Sequence, residues 1–126
     1  MWPYQSVTRQ QLEEKKDRVE VLLQALGAVP TGLGKPHSVS GYGPGMGETF
    51  LSQRTVFRCG KVFVRVDEVL FPEKPFLVLE YASREEEVRA NVMEDADPFP
   101  WDLGEGELLA ELRAVLDAGW RRGEEG

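Results

Sequence analysis

Two groups of residues in this sequence have the types and spacing to do chemistry. Arg54, Arg58, Lys61 and Arg65 recur within residues 54–65. A strand hairpin would gather them into a cationic face able to hold an anion or an acidic partner. Glu94, Asp95, Asp97 and Asp102 form the second group, and carboxylates are the hard oxygen ligands that Ca²⁺ or Mg²⁺ takes. Their spacing is not that of an EF-hand loop, because neither the glycine nor the terminal Glu falls where that loop needs it. Metal-assisted hydrolysis would also need an activated water and a group to hold the substrate. The sequence therefore carries the expectation of no metal site and no other cofactor. Phe99 and Trp101 lie among these carboxylates, each preceded by a proline. Aromatics fixed in this way lose little entropy on contact, which suits a plug folded over a core or a binding hot spot.

Other candidates are thinner. His37, the only histidine, has no metal-ligand or triad partner nearby and is expected to be exposed. Cys59 sits between Arg58 and Lys61, a setting that favours its thiolate. A catalytic cysteine also needs a base and an oxyanion site, so oxidation is the only reactivity expected of it. The glycines of the stretch 27–48 invite a phosphate-loop reading, which fails. Gly32-Leu33-Gly34-Lys35 lacks the first Walker A glycine and is followed by Pro36. Gly41-Tyr42-Gly43-Pro44-Gly45-Met46-Gly47 is not GxGxxG and leads into a strand. This Gly/Pro-rich segment reads as one long loop, either a linker or a cover for a ligand.

The elements that must position these residues centre on Thr49–Ala82. Val62, Val64 and Val66 alternate with Phe63, Arg65 and Asp67, the period of a half-buried strand. Thr49–Arg58 before it and Phe76–Tyr81 after it are also strand-like, and short connections make the three an antiparallel meander. Two rules compete over the first hairpin. A two-residue loop at Cys59-Gly60 pairs Phe57 with Val62 and Arg54 with Arg65, and gives the better core. A three-residue loop, Arg58-Cys59-Gly60, gives the better turn. The first is expected here, although like charges then lie opposite one another and need a negative counterpart.

Helices flank the meander. Thr8 and Gln11 form a capping box, and Val7 and Leu12 a hydrophobic staple, ahead of an apolar stripe that ends near Gly27. Ser83 and Glu86 form a second capping box for a short helix reaching Val92 or Met93. A last helix carries Leu108, Leu109, Leu112, Val115 and Leu116 and is expected to stop at Gly119, with a frayed tail over 121–126.

With 126 residues, the chain is expected to form one α+β domain over 1–126: a three-stranded antiparallel meander with an N-terminal helix and two C-terminal helices packed against it. No basic-then-apolar leader and no apolar run near 18 residues is visible, so a cytoplasmic location without membrane contact is the expectation. The formal charge of −7 is uneven: residues 1–79 carry a net +2 and residues 80–111 a net −9. Nucleic acid is not an expected partner. The favoured function is a non-enzymatic protein-interaction or regulatory module that meets a basic partner surface through its acidic segment (Asp95, Asp97) and Phe99 and Trp101. The alternative is a small ligand-binding protein or enzyme, divalent-metal dependent or not, with its site between the basic face of Arg54 and Arg65 and the glycine-rich loop. A homodimer is left open. A deep pocket with convergent polar groups would favour the alternative.

Overall fold

In the computed structural model, residues 4–5, 7–40, 50–71 and 73–125 are described, with side chains to residue 117. The fold is α+β, with ten elements in chain order. The expected valine strand is β5 (Val62–Leu70), flanked by β4 (Val56–Cys59) and β6 (Pro75–Ala82), all antiparallel. The meander is wider than expected. β1 (Val29–Pro30) joins the outer edge of β4 and β7 (Asp95–Pro100) the outer edge of β6, giving five strands in the order β1-β4-β5-β6-β7.

The first hairpin takes neither expected register. Cys59 pairs with Val62 and Phe57 with Val64, so the loop is Gly60-Lys61. Gly60 stands at φ +60°, and a glycine with positive φ at the first loop position is what a type II′ turn uses. The slip from the expected two-residue register is even, so Phe57 keeps its place on the valine face. Arg54 does not: the expected strand Thr49–Arg58 breaks at Thr55. Its first half, β3 (Phe50–Arg54), pairs with β2 (Lys35–Val39) in a separate two-stranded sheet. Two strands thus lie inside the stretch read as a 27–48 loop. Gly34 is needed at the crossing, since a Cβ there would stand 2.7 Å from the Arg54 carbonyl oxygen. The rest of that loop, 41–48, and Thr49 of the expected strand lie outside the described residues.

α1 (Arg9–Ala25) starts as expected. Gln11 N–H donates to Thr8 Oγ1 at 3.0 Å, and Thr8 N–H to Gln11 Oε1 at 2.8 Å. Gly27 takes φ +103° after its end. α1 and α3 (Glu105–Glu125) cover the valine face, where Leu12, Val19 and Leu23 meet Val64, Val66, Leu79, Leu108 and Leu112. Helical backbone runs through Gly119 and the expected tail to Glu125. An interior glycine weakens a helix by about 1 kcal/mol without ending it, and no proline follows.

α2 (Glu85–Arg89) is shorter than expected and packs on the other face, Val88 against Val56, Phe63 and Ala82. Only one of the two C-terminal helices therefore shares the face of α1. The Ser83–Glu86 capping box does not form. Arg84 is the cap residue, and the Ser83 hydroxyl donates to Glu94 at 2.7 Å. No helix among the described residues is long and apolar enough to cross a membrane.

Candidate functional site

The site arises where β5 outruns β4. Pairing with β4 stops at Arg65, while β5 continues to Leu70. Beside that overhang stands the β2–β3 hairpin, which forms no ladder with it. Alternation puts Arg65 and Asp67 on the face opposite the valines, and Glu80 of β6 lies directly across from Arg65. Glu68 falls in the valine register and so faces α1, where Lys16 interrupts the apolar stripe.

Arg65 is only 3% exposed, and its guanidinium donates four hydrogen bonds and turns its remaining N–H toward His37. It grips Asp67 with two of them, Nε to Oδ1 at 2.7 Å and Nη2 to Oδ2 at 2.8 Å. Nη2 also donates to Glu80 Oε2 at 3.0 Å. Nη1 donates to Asn91 Oδ1 at 2.8 Å and approaches His37 Nε2 at 3.5 Å. Asn91 reaches this position in a left-handed turn, φ 57°, a conformation that Asn tolerates better than most residues. His37 is expected to be exposed; instead it is half-buried against Arg65. Burial, then the charges of Arg65 and Arg54, lower its pKa, which favours the neutral ring beside the guanidinium.

Behind this fork lies a second layer. Arg54 Nη1 stands 3.1 Å from Asp67 Oδ2 and Nε 3.4 Å from Glu68 Oε1. Lys16 Nζ donates to Ser52 Oγ at 2.8 Å and to the Gln53 carbonyl at 2.6 Å, and lies 3.8 Å from Glu68. Among the described residues Glu68 is held by these two cations, and neither of its buried oxygens accepts a hydrogen bond.

The carboxyls divide by environment. Burial pushes Glu80 up to about 8, and its hydrogen bond to Asp67 and that residue's charge add to the rise. Burial would also raise Asp67, but hydrogen bonds from Glu80 and Arg65 and the charge of Arg54 overcome it and hold the carboxyl below its usual range. The rise on Glu80 and the fall on Asp67 favour a single proton shared by the pair. Glu20, one turn beyond Lys16, rises to about 7, chiefly through burial.

Arg54, Asp67, Glu68 and Glu80 line a cleft of about 380 Å³, together with Val69 and with Ser38, Val39 and Ser40 of the hairpin side. Its size is at the lower end for ligand pockets, and its walls are more polar than most.

The expected site residues fall in three places. Arg54 and Arg65 come together, joined through Asp67 rather than as cross-strand neighbours. Arg58 and Lys61 stay outside; Arg58 stacks over Phe63 at 5.4 Å. Asp95 and Asp97 lie on β7, away from the arginines, and Asp95 accepts the N–H of Ala96 at 2.8 Å. Phe99 is 2% exposed and Trp101 half-buried against the core, so in this state the pair forms the plug. Cys59 is buried, which drives its thiol up to about 11 rather than favouring the thiolate. Among the described residues no group of His, Cys, Asp and Glu converges to hold a metal ion.

No family model, curated protein or solved structure matches this chain. Its chemistry has to be argued from these side chains alone. Lys16, Asp67, Glu68, Glu80 and Asn91 were not singled out as site residues from the sequence. Three of them carried a signal: Lys16 sits on an apolar stripe, Glu68 continues a run of valines at alternate positions, and Glu80 interrupts an otherwise apolar strand. A charge at a position patterned for the core marks a buried ion pair.

Proposed function

We propose that this protein is a non-enzymatic binding module whose cleft receives a basic group, the guanidinium or ammonium of a partner protein's side chain. The observation that carries the reading is the composition of the cleft wall. Asp67 and Glu80 line it beside one guanidinium, Arg54, with Glu68 on the same wall but its carboxylate oxygens buried, while the Arg65 N–H groups are turned to Asp67, Glu80, Asn91 and His37. Ser38 and Ser40 add hydroxyls at the rim. A volume of about 380 Å³ suits a single side chain rather than a large metabolite. Binding a cation would favour the ionised form of Glu80, so affinity should strengthen as pH rises through about 8.

The test is an NMR titration with methylguanidinium and n-propylammonium, using methylurea as the neutral isostere and sulfate as the anion. Shifts should cluster at residues 38–40, 67–69 and 80 with the cations and be absent with methylurea. Glu80→Gln should flatten the pH dependence. Sulfate binding at Arg54 with no cation response would overturn the cationic reading, and silence from all four probes would overturn the cleft itself as the site.

A further inference from the structure

The β2–β3 hairpin joins the rest of the molecule differently from every strand of the main sheet. β5 and β6 share a ladder of eight register pairs, Phe63↔Ala82 to Leu70↔Pro75. Between β3 and β5 there is no ladder. Among the described residues, side chains tie the hairpin down: Arg54 on Asp67 and Glu68, Lys16 on Ser52 and the Gln53 carbonyl, His37 on Arg65 and Lys35 on the Arg89 carbonyl. Two apolar anchors, Val39 and Phe50, assist, with Arg9 over the Phe50 ring at 4.2 Å. The same hairpin forms one wall of the cleft through Ser38 and Val39.

A segment attached by ion pairs and two apolar side chains opens at lower free energy than strands bound by a full ladder. We infer that the β2–β3 hairpin is a gate over the cleft, clasped to β5 through Arg54, which opens while the five-stranded sheet stays folded. Arg54 is the pin of the clasp, because it reaches Asp67 and Glu68 on opposite faces of β5 from a strand that β5 does not otherwise hold. A ligand that touches Ser38 and Asp67 together binds only the closed form and so holds the gate shut by mass action. As a gate this rests on the cleft being the binding site; as a motion it does not, and the two fail separately.

Amide hydrogen exchange on the intact chain tests it. In the wild type, amides of 35–39 and 50–54 should exchange faster than those of 62–70 and 75–82. Arg54→Met, close in volume but without charge, should lower hairpin protection by roughly tenfold or more, as loss of one partner of a buried pair implies, and leave the ratio within the main sheet unchanged. Lys16→Met, which acts on the same clasp from the helix side, provides a second route should the Arg54 variant not fold. The inference is overturned if the hairpin and the sheet lose protection together as one unit, in the wild type or in either variant. Faster exchange of the hairpin in a protein that binds none of the cationic probes would keep the motion and remove the cleft reading.

Discussion

Replacing Arg65 with Lys keeps the positive charge of the site and removes its fork. Arg65 meets Asp67 twice, Glu80 once, Asn91 once and His37 at longer range, all from a side chain 3% exposed. An ammonium has three donors, so at least two of these acceptors lose their partner in a place where water does not readily replace it. Hydrogen bonds to a charged group contribute about 1.5–3 kcal/mol each. Two of them put the loss at roughly 3–6 kcal/mol, and relaxation should return part of that, leaving about 2–4 kcal/mol. Urea unfolding followed by circular dichroism measures it: the midpoint should fall with an unchanged m-value. Arg65→Met should cost more, since it also leaves the Asp67 charge to Arg54 alone. Were Lys within about 0.5 kcal/mol of wild type, the geometry of the fork would contribute nothing and the site would reduce to a point charge.

Four further outcomes follow from other parts of the structure. Thr8→Ala should destabilise by about 1 kcal/mol, because the hydroxyl that accepts the Gln11 N–H is lost; an unmoved urea midpoint would contradict the cap. Glu80 and Glu20 are raised to about 8 and about 7 from an ordinary 4.5, so the folded state binds more protons between those limits. Their contribution is complete below about pH 4.5 and lost as pH rises through 7 and 8, whereas that of Asp67, whose pKa is lowered, is lost on strong acidification; thermal melts across pH should show this fall, and Glu80→Gln should shrink it. Cys59, buried with its thiol near 11, should react with a disulfide reagent only on unfolding, so rapid labelling of the native protein would refute its placement. Pro98→Val with Pro100→Val should increase concentration-dependent self-association in sedimentation, and an unchanged profile would show that β7 is shielded by something other than its prolines.

What the sequence disclosed, and what it concealed, divides along the range of the interactions involved. The α1 cap lies within four residues and is formed as written. The valine face of β5 follows from alternation, and even a shifted hairpin left it intact because the shift was even. The break at Thr55 was hidden because Phe50–Arg54 is as strand-like as Val56–Cys59. Only the close approach of Gly34 to the Arg54 carbonyl shows where one sheet ends and the other begins. Lys35–Val39 has no alternation that reads as a strand, and two glycine-rich runs surround it. The site suffered from the same limit. Arg65 and its nearest partner Asp67 were visible in one alternation facing away from the valines, but the other partners come from β2, β6 and the turn after α2, at separations that local patterning does not register.

The acidic segment poses the question of what its charge is for, and the structure divides it. One carboxyl of 80–111, Glu80, reaches Arg65. Several others are engaged elsewhere: Glu85 pairs with Arg89, Glu94 accepts from Ser83 and Asp95 accepts from Ala96, while Glu105 meets Arg18 of α1. The use of Asp95 bears on how a partner could approach. Bonds alternate along an antiparallel ladder, and Pro98 and Pro100 have no N–H to give. The amides of Asp95, Asp97 and Phe99 are therefore the ones turned toward β6, and those of 96, 98 and 100 point outward. Two of these do not exist, and the third is taken by Asp95. The free edge of β7 thus has acceptors and carboxylates but no available N–H, which blocks strand addition. Phe99 is buried in the core and Trp101 half-buried against it, and Pro98 and Pro100 leave the edge without their donors. An interaction on that side would have to be made by side chains, and the polar cleft is left as the better-built place for a basic group to be held.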